Sequence, residues 1–284
     1  YIENIGCERC GSSDAVGVYQ REGTGEYYGN CFSCGEYIDT PYPDDNFDTE
    51  PIKLQEEKEI ITFNFGNATY NPLKSRGISR DTCKKYGVRS ILDDDGNDLV
   101  HYYPHTASNE EDVWCQRVVL GKKFSWIGSP KDTKFFGQDV VGSGGKMILI
   151  TEGVCDALAA WEMLQKHGKS YRVVSIVNGA SAALKDFKNN FEWVNSFEQI
   201  FLAFDMDEPG RIAAKKVAEM FPPNKVKHLE YKGAKDPNEL LLSGRSGDFL
   251  AAIYSAKETK PDGIVSVDDL YEEAITPPVM GLSW

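Results

Sequence analysis

Two apolar segments of six residues run directly into acidic residues, and this pattern restricts the fold more than any other feature. Residues 146–151 lead into Glu152, and residues 199–204 lead into Asp205 and Asp207. Core packing does not explain the acids, because clustered carboxylates repel one another unless a cation or proton intervenes. Grouped carboxylates are ligands for hard divalent cations. The pattern predicts a magnesium site for phosphoryl-transfer chemistry.

The second half of the chain alternates between strand and helix patterns. The predicted strands cover residues 146–151, 171–177, 199–204 and 225–231, and the predicted helices cover 154–167, 181–190, 208–220, 237–242 and 247–256. This alternation predicts a parallel sheet with right-handed crossovers. Ligand sites in such sheets form beyond the carboxyl ends of the strands, where these acids lie.

Two further acids are secondary candidates for the same site. Asp156 falls in the first turn of the helix after Glu152, and Asp236 follows the last predicted strand. Helix capping and compensation of the helix dipole are the alternative for Asp156 and the preferred interpretation of Glu208. The segment 142–146 resembles a phosphate-binding loop only superficially, because it precedes a strand and no Ser or Thr follows its lysine.

Four cysteines near the start of the chain form two C-x-x-C-G turns. They are Cys7, Cys10, Cys31 and Cys34. Four thiolates complete a tetrahedral shell, so we expect one structural zinc ion in a small β ribbon that is unfolded without metal. Two redox pairs are disfavoured, because neither pair begins a long helix. The remaining scattered cysteines suggest a reducing compartment.

The ribbon also mixes cations with aromatic residues, including Arg9, Arg21, Tyr28 and Phe32. Such a mixture suits stacking on single-stranded bases, although the aromatics could equally pack the small core.

Charge is distributed unevenly, so the net charge of −13 describes no single surface. Residues 41–60 hold seven acidic and two basic residues and resemble a linker, and 257–273 hold six acidic and two basic. Residues 113–138 reverse this with five basic residues and one acid. No apolar run approaches the roughly 20 residues that span a bilayer, so no membrane association is expected.

The region between the linker and the parallel sheet is mixed. A helix is expected over 79–86, capped by Ser79 and ended by Gly87, and a hairpin turn over 93–97. The basic stretch offers Arg117, Lys122 and Lys123 to phosphates. Its aromatic residues Trp114, Phe124 and Trp126 could stack bases, although core packing is the simpler interpretation of each.

The acidic pattern, Glu152-Gly-x-x-Asp156 followed by Asp205-x-Asp207, resembles the TOPRIM motif of primases, topoisomerases and some nucleases. The ribbon, linker and basic module that precede this motif narrow the resemblance to primases. The chain most resembles the primase half of T-seven-type phage primase-helicases. Further similar motifs are Arg76-Gly-Ile-Ser, Phe135-Phe-Gly137, Gly179-Ala-Ser-Ala182 and Lys235-Asp-x-Asn-Glu239. The cysteine pairs stand farther apart than in the closest relatives, and Asn178 stands where relatives often carry His.

The resemblance implies an α/β chain with five regions. These are a zinc ribbon for template recognition (1–40), an acidic linker (41–60), a mixed α+β basic subdomain (61–144), a TOPRIM subdomain with a central parallel sheet flanked by helices (145–256), and a tail toward a helicase (257–284). The segment contains no nucleotide-binding helicase core, so a fragment and a free-standing primase both remain open.

The implied activity is synthesis of RNA primers on single-stranded DNA for phage replication. Glu152, Asp205 and Asp207 would bind two Mg²⁺ ions, for which Mn²⁺ can substitute, with Asp156 and Asp236 as further catalytic candidates. Arg117, Lys122, Lys123, Asn178 and Ser181 would bind nucleotide or template. The implied partners are template, NTPs, a replicative helicase and the DNA polymerase that receives the primer, in the cytoplasm of the infected bacterium. The alternatives are a TOPRIM nuclease, or a non-enzymatic recombination mediator.

Overall fold

The computed structural model describes residues 2–12, 14–21, 24–42 and 65–258, and the chain divides at residue 62 into two compact units. Most of the predicted linker and almost all of the predicted tail lie outside the described residues. Within the described residues, no helix is both long and apolar enough to cross a membrane.

The first unit contains a four-stranded antiparallel sheet. Its strands are β1 (Asn4–Ile5), β2 (Val16–Gln20), β3 (Tyr27–Cys31) and β4 (Tyr37–Ile38), in that spatial order. Val16 and Val18 of β2 pack with Cys7 and Cys31 in a small buried cluster. So few aliphatic side chains leave this unit little apolar stabilisation of its own.

The second unit begins with a short helix and an antiparallel sheet. Helix α1 spans Arg80–Tyr86, and the Ser79 hydroxyl accepts a hydrogen bond from the Thr82 N–H (3.2 Å), as predicted. The sheet runs in chain order through β5 (Arg89–Leu92), β6 (Asp98–Thr106), β7 (Asp112–Val118) and β8 (Lys123–Ile127). The hairpin turn over 93–97 is confirmed, and the Asn97 N–H donates to Asp93 there (2.7 Å).

The predicted parallel sheet follows the short helix α2 (Gln138–Val141). Its elements are β9 (Gly145–Thr151), α3 (Val154–Lys166), β10 (Arg172–Ser175), α4 (Ala183–Asn189), α5 (Phe191–Asn195), β11 (Phe197–Ala203), α6 (Glu208–Ala218), β12 (Val226–His228), α7 (Pro237–Leu242), α8 (Ser246–Tyr254) and β13 (Lys257–Glu258). The spatial order is β10-β9-β11-β12-β13, with β13 alone antiparallel to its neighbour.

Alternate side chains of strand β9 enter two separate cores. Leu149 of β9 packs with α3, α7 and α8, and this core also includes Tyr103 and Phe136. Ile148 and Ile150 pack on the other face with α4, α5 and α6. Helices therefore cover both faces of the sheet, and the carboxyl ends of its strands remain the open edge.

Candidate active site and metal centre

The four cysteines of the first unit converge as a metal site requires. The Cys7 and Cys34 Sγ atoms lie 3.8 Å apart, and those of Cys10 and Cys31 lie 3.7 Å apart. A tetrahedral zinc with bonds of about 2.3 Å separates its sulfurs by about 3.8 Å, so the cluster fits that ion. In the described part of the chain, only these four residues bring three or more candidate ligand atoms within 4.8 Å of one another.

A tight turn of the main chain forms each half of this cluster. The N–H groups of Gly11 and Gly35 donate to the Cys7 and Cys31 carbonyls, both at 2.9 Å. Both glycines have positive φ (70° and 75°), a conformation that residues with a Cβ adopt rarely. Each cysteine pair therefore lies in a turn and not at the start of a helix, which agrees with a metal site.

In the second unit, the register of the parallel sheet brings the predicted carboxylates together. Thr151 of β9 pairs with Ser175 of β10 on one side and with Ala203 of β11 on the other. The three strands therefore end level, and Glu152 follows β9 directly while Asp205 follows β11 after one further residue, at the same end of the sheet. The acids that the sequence separates by fifty residues share one edge of the sheet.

Glu152 occupies the centre of this edge. Its Oε1 accepts a hydrogen bond from the Ala180 N–H (3.1 Å), whereas its buried Oε2 has no hydrogen-bond partner in the described structure. Burial, and then the charge of Asp205, raises the pKa of Glu152 to about 7. An acid in these conditions gains from a nearby cation.

A lysine that sequence reasoning did not assign to the site joins the other two carboxylates. Lys235 Nζ lies 3.2 Å from Asp205 Oδ2 and 3.3 Å from Asp207 Oδ2. Burial raises the pKa of Asp205 despite the opposing charge of Lys235. Burial alone would lower the pKa of Lys235, but the two carboxylates outweigh it and raise that pKa. The sheet edge thus already holds one cation, provided by the protein.

Asp207 has a second, structural role. Its Oδ1 accepts a hydrogen bond from the Gly210 N–H (3.0 Å) and so caps α6. A Cβ at Gly210 would lie 2.3 Å from the Asp205 carbonyl oxygen, so only glycine permits this close approach. The cap that the sequence suggested for Glu208 therefore belongs to Asp207, one residue earlier.

Asp156 and Asp236 line the same cavity as Glu152 and Asp205, and each also holds a backbone N–H of α7. Asp156 does not cap its own helix, because its Oδ1 accepts from the Asn238 N–H in the first turn of α7 (3.1 Å). Burial, and then the charges of Asp236 and Asp205, raises the pKa of Asp156 well above its ordinary value. Asp236 caps α7 through the Glu239 N–H (2.7 Å).

A cavity of about 670 Å³ opens beside these acids. The antiparallel sheet forms its other wall, because Arg117 and Phe124 lie in one cross-strand row and Cys115 and Trp126 in the next row on the same face. Arg117 is only 8% exposed and lies 5.6 Å from the centre of the Phe124 ring. The cavity therefore has carboxylates on one side and a cation with aromatic rings on the other.

The predicted binding residues divide between this cavity and the surface around it. Arg117 and Asn178 line the cavity, whereas Lys122, Lys123 and Ser181 are not part of its lining. The Asn178 side chain donates to Asp186 (3.1 Å), which holds it in place. The sequence-based interpretation that Phe124 packs in the core is wrong, because its side chain is 64% exposed. Trp114 does pack in a cluster, against Phe65.

Arg76 and Lys235 line the cavity but were not predicted as site residues. Arg76 Nη1 donates to the Asn238 side chain (3.2 Å), and the Asn238 amide donates back to the Arg76 carbonyl (2.8 Å). Segments far apart in the chain bring Arg76 and Lys235 to the cavity, so no local pattern predicts that they meet. The only indication in the sequence was that each lies in a motif similar to one of the primase family.

Comparison with known proteins agrees with this architecture. The Toprim-like family matches residues 149–241, which include both acidic strand ends. The DNA helicase/primase of Enterobacteria phage T3 is 33% identical over 97% of this chain, and the match covers 48% of that protein. The chain thus spans about half the length of this curated relative.

Two solved structures extend the comparison to the fold. The primase fragment of the bacteriophage T7 primase-helicase is 31% identical, covers 88% of this chain and 98% of its own, and superposes with a TM-score of 0.59. A primase domain of T7, solved with the lagging-strand DNA polymerase, an RNA/DNA hybrid and dTTP, is 35% identical over 69% of this chain and 98% of its own, also with a TM-score of 0.59. With its cysteine cluster, its acidic sheet edge and these matches, the chain belongs to the primase family of T7-type phage primase-helicases.

Proposed function

We propose that this chain is a DNA primase that synthesises short RNA primers on single-stranded DNA during phage replication. The observation that carries the proposal is the level sheet edge, where Glu152 and Asp205 face a cavity with a buried arginine on its opposite wall, and where Asp207 shares Lys235 with Asp205. Carboxylates on one side and cations on the other suit a nucleoside triphosphate with divalent metal ions.

In this proposal Glu152, Asp205 and Asp207 hold two Mg²⁺ ions. The donor set fits, because the buried Oε2 of Glu152 has no hydrogen-bond partner among the described residues, and because Asp205 and Asp207 already share one cation, Lys235. When bound, such ions activate the 3′-hydroxyl of the growing primer and stabilise the pyrophosphate that leaves. Lys235 provides part of the positive charge at these carboxylates.

The protein side chains position the reactants. The 3′-oxygen forms its bond to the α-phosphorus, the bond to pyrophosphate breaks, and Glu152 is placed to accept the hydroxyl proton. Arg117 and Arg76 would bind the triphosphate, and Asn178 would contact the nucleotide. Phe124 and Trp126 offer rings for base stacking, which contributes about 1–3 kcal/mol per base. Lys122 and Lys123 would contact the template backbone, and Ser181 remains a predicted contact.

The domain boundaries given by the sequence are part of the same proposal. The ribbon, with Zn²⁺ held by its four cysteines, would select the start site, and residues 61–144 and 145–256 would form the polymerase. A replicative helicase and the DNA polymerase that receives the primer are the proposed partners, in the host cytoplasm. Similarity to a T3 helicase/primase and to a T7 primase domain solved with a polymerase supports these assignments.

A template-directed assay tests the function directly. The full chain is incubated with a pool of single-stranded oligonucleotides, four NTPs and MgCl₂, beside an Asp207→Ala variant. Short RNA products from the wild type alone are expected, and the productive templates identify the start sequence. Cleaved DNA would instead indicate the nuclease. Bound, intact DNA without product, even with a cognate helicase added, would indicate the mediator.

A further inference from the structure

Arg117 is a buried cation that lacks a negatively charged partner. No carboxylate among the described residues lies within ion-pair distance of its guanidinium, and its Nε has no hydrogen-bond partner. Its Nη1 donates only to the Cys155 thiol, at 3.7 Å. Because an unpaired buried charge is strongly unfavourable, this arginine needs an anion from outside the chain. Something in the protein must also hold it in place until that anion arrives.

A buried chain of polar groups leads to this arginine along the same face of the sheet, where His101 is its direct cross-strand partner. Ser75 Oγ donates to Asp98 Oδ2 (2.8 Å), which lies 3.6 Å from His101 Nε2. His101 Nδ1 lies 2.9 Å from the Tyr103 hydroxyl, and that hydroxyl lies 3.4 Å from Cys155 Sγ. His101 is fully buried and Tyr103 is 1% exposed.

The order of these groups determines which way the Tyr103 hydroxyl points. The Asp98 carboxylate favours a proton on His101 Nε2, which leaves Nδ1 as an acceptor. Tyr103 then donates its proton to Nδ1, which leaves its oxygen to accept from the Cys155 thiol, and the Cys155 sulfur accepts from Arg117 Nη1.

We infer that Tyr103, oriented by His101 and Asp98, is a positioning residue that holds the Arg117 guanidinium ready for the triphosphate of the incoming nucleotide. The inference rests on the proposed polymerase function for its substrate. It assigns Tyr103 no contact with the reacting atoms. Tyr103 instead keeps the Arg117 side chain in one conformation before the nucleotide binds. The nucleotide then does not have to order that side chain, which would cost part of its binding free energy.

The test compares two tyrosines that lose only a hydroxyl. Tyr103→Phe should raise the KM for NTP about tenfold, because it breaks the buried hydrogen-bonded chain that holds Arg117 through Cys155, with kcat changed by less than about twofold. Tyr86→Phe is the matched control, because the Tyr86 hydroxyl is also buried and donates to the Val173 carbonyl (3.0 Å) outside the cavity. It should lose similar stability and keep its KM.

A double-mutant cycle separates positioning from general damage. In an Arg117→Gln background, Tyr103→Phe should change KM by less than about twofold, because its route to the nucleotide is gone. Equal effects of Tyr103→Phe in both backgrounds, or an equal rise of KM in Tyr86→Phe, would overturn the inference.

Direct binding keeps the inference separate from the proposed activity. Calorimetric titration with GTP and MgCl₂ measures affinity whether or not primers form. If the wild type makes no primers but Tyr103→Phe still weakens GTP binding about tenfold, the polymerase function fails and the positioning role stands. If the wild type forms primers and Tyr103→Phe binds GTP as tightly as the wild type does, the positioning role fails and the function stands.

Discussion

The two candidate metal sites of this chain are built in opposite ways. The cysteine cluster brings its sulfur atoms to within 4.8 Å of one another inside a unit with few apolar side chains. The acidic edge has Lys235 between two of its carboxylates, on a sheet with a large core on each face. The difference predicts that the ribbon depends on a bound metal for folding, whereas the sheet that carries the acidic edge folds without one.

Metal removal should have the largest effect, and only on the ribbon. Structural zinc contributes about 10 kcal/mol or more to small domains, so a chelator or Cys34→Ser should unfold strands β2 and β3. Hydrogen exchange of the full chain followed by mass spectrometry should show loss of protection there, with β9 and β11 unchanged. A protected ribbon without metal would remove the contrast between the two sites.

Asp207 allows capping and metal binding to be separated. Asp207→Asn keeps an N-cap of equal quality, so stability should change little, but loss of the charge should reduce primer synthesis about 10³-fold. Asp207→Ala should lose the activity and also about 1 kcal/mol of stability. Urea unfolding and single-turnover synthesis measure the two effects. Active Asp207→Asn would show that this residue only caps α6.

The wall opposite the carboxylates should respond to acid through His105. Burial lowers the pKa of His105 to about 4, so the folded state binds its proton less readily than the unfolded chain does. Stability should therefore fall as pH drops from about 6.5 toward 4, by roughly 3 kcal/mol from this residue. His105→Phe should remove that component from urea unfolding measured across this range. An unchanged slope would assign the acid sensitivity to other groups.

Lys235 should have the smallest effect, and it tests the acidic edge itself. Lys235→Met removes the cation between Asp205 and Asp207, and should reduce stability by about 1 kcal/mol without divalent ions, because the pair is partly exposed. Added MgCl₂ should stabilise this variant more than the wild type, measured as the shift in Tm. Lys232→Met is a control for loss of a nearby lysine. Equal responses of all three proteins to Mg²⁺ would contradict the proposed role of Lys235.

Local pattern was enough to predict the strands that carry the site. Residues 146–151 and 199–204 are continuous apolar runs that end in acids, and the structure places β9 and β11 there within two residues. The helix capped by Ser79 and the cysteine turns were equally local. Strand β12 is shorter than predicted, and α5, β8 and β13 were missed, because their short segments have no strong period of their own.

Contacts between distant segments were beyond the sequence. Arg76 reaches the cavity through its bonds to Asn238, 162 residues away, and Lys235 reaches Asp205 from another loop. The exposure of Phe124 depends on β8, a strand that the sequence did not predict. The capping role of Asp207 was missed because an acid one residue later seemed equally suitable, and only the backbone geometry separates the two.

The double engagement of Asp207 makes the Gly210 amide an internal spectroscopic reporter. One carboxylate oxygen holds that N–H while the other lies 3.3 Å from Lys235, which lines the cavity, so a change of charge in the cavity should alter the strength of the amide hydrogen bond. The amide proton resonance of a single glycine should therefore shift as Mg²⁺ or nucleotide is titrated. Occupancy of the reaction centre could thus be followed by NMR from a backbone position that touches neither ligand.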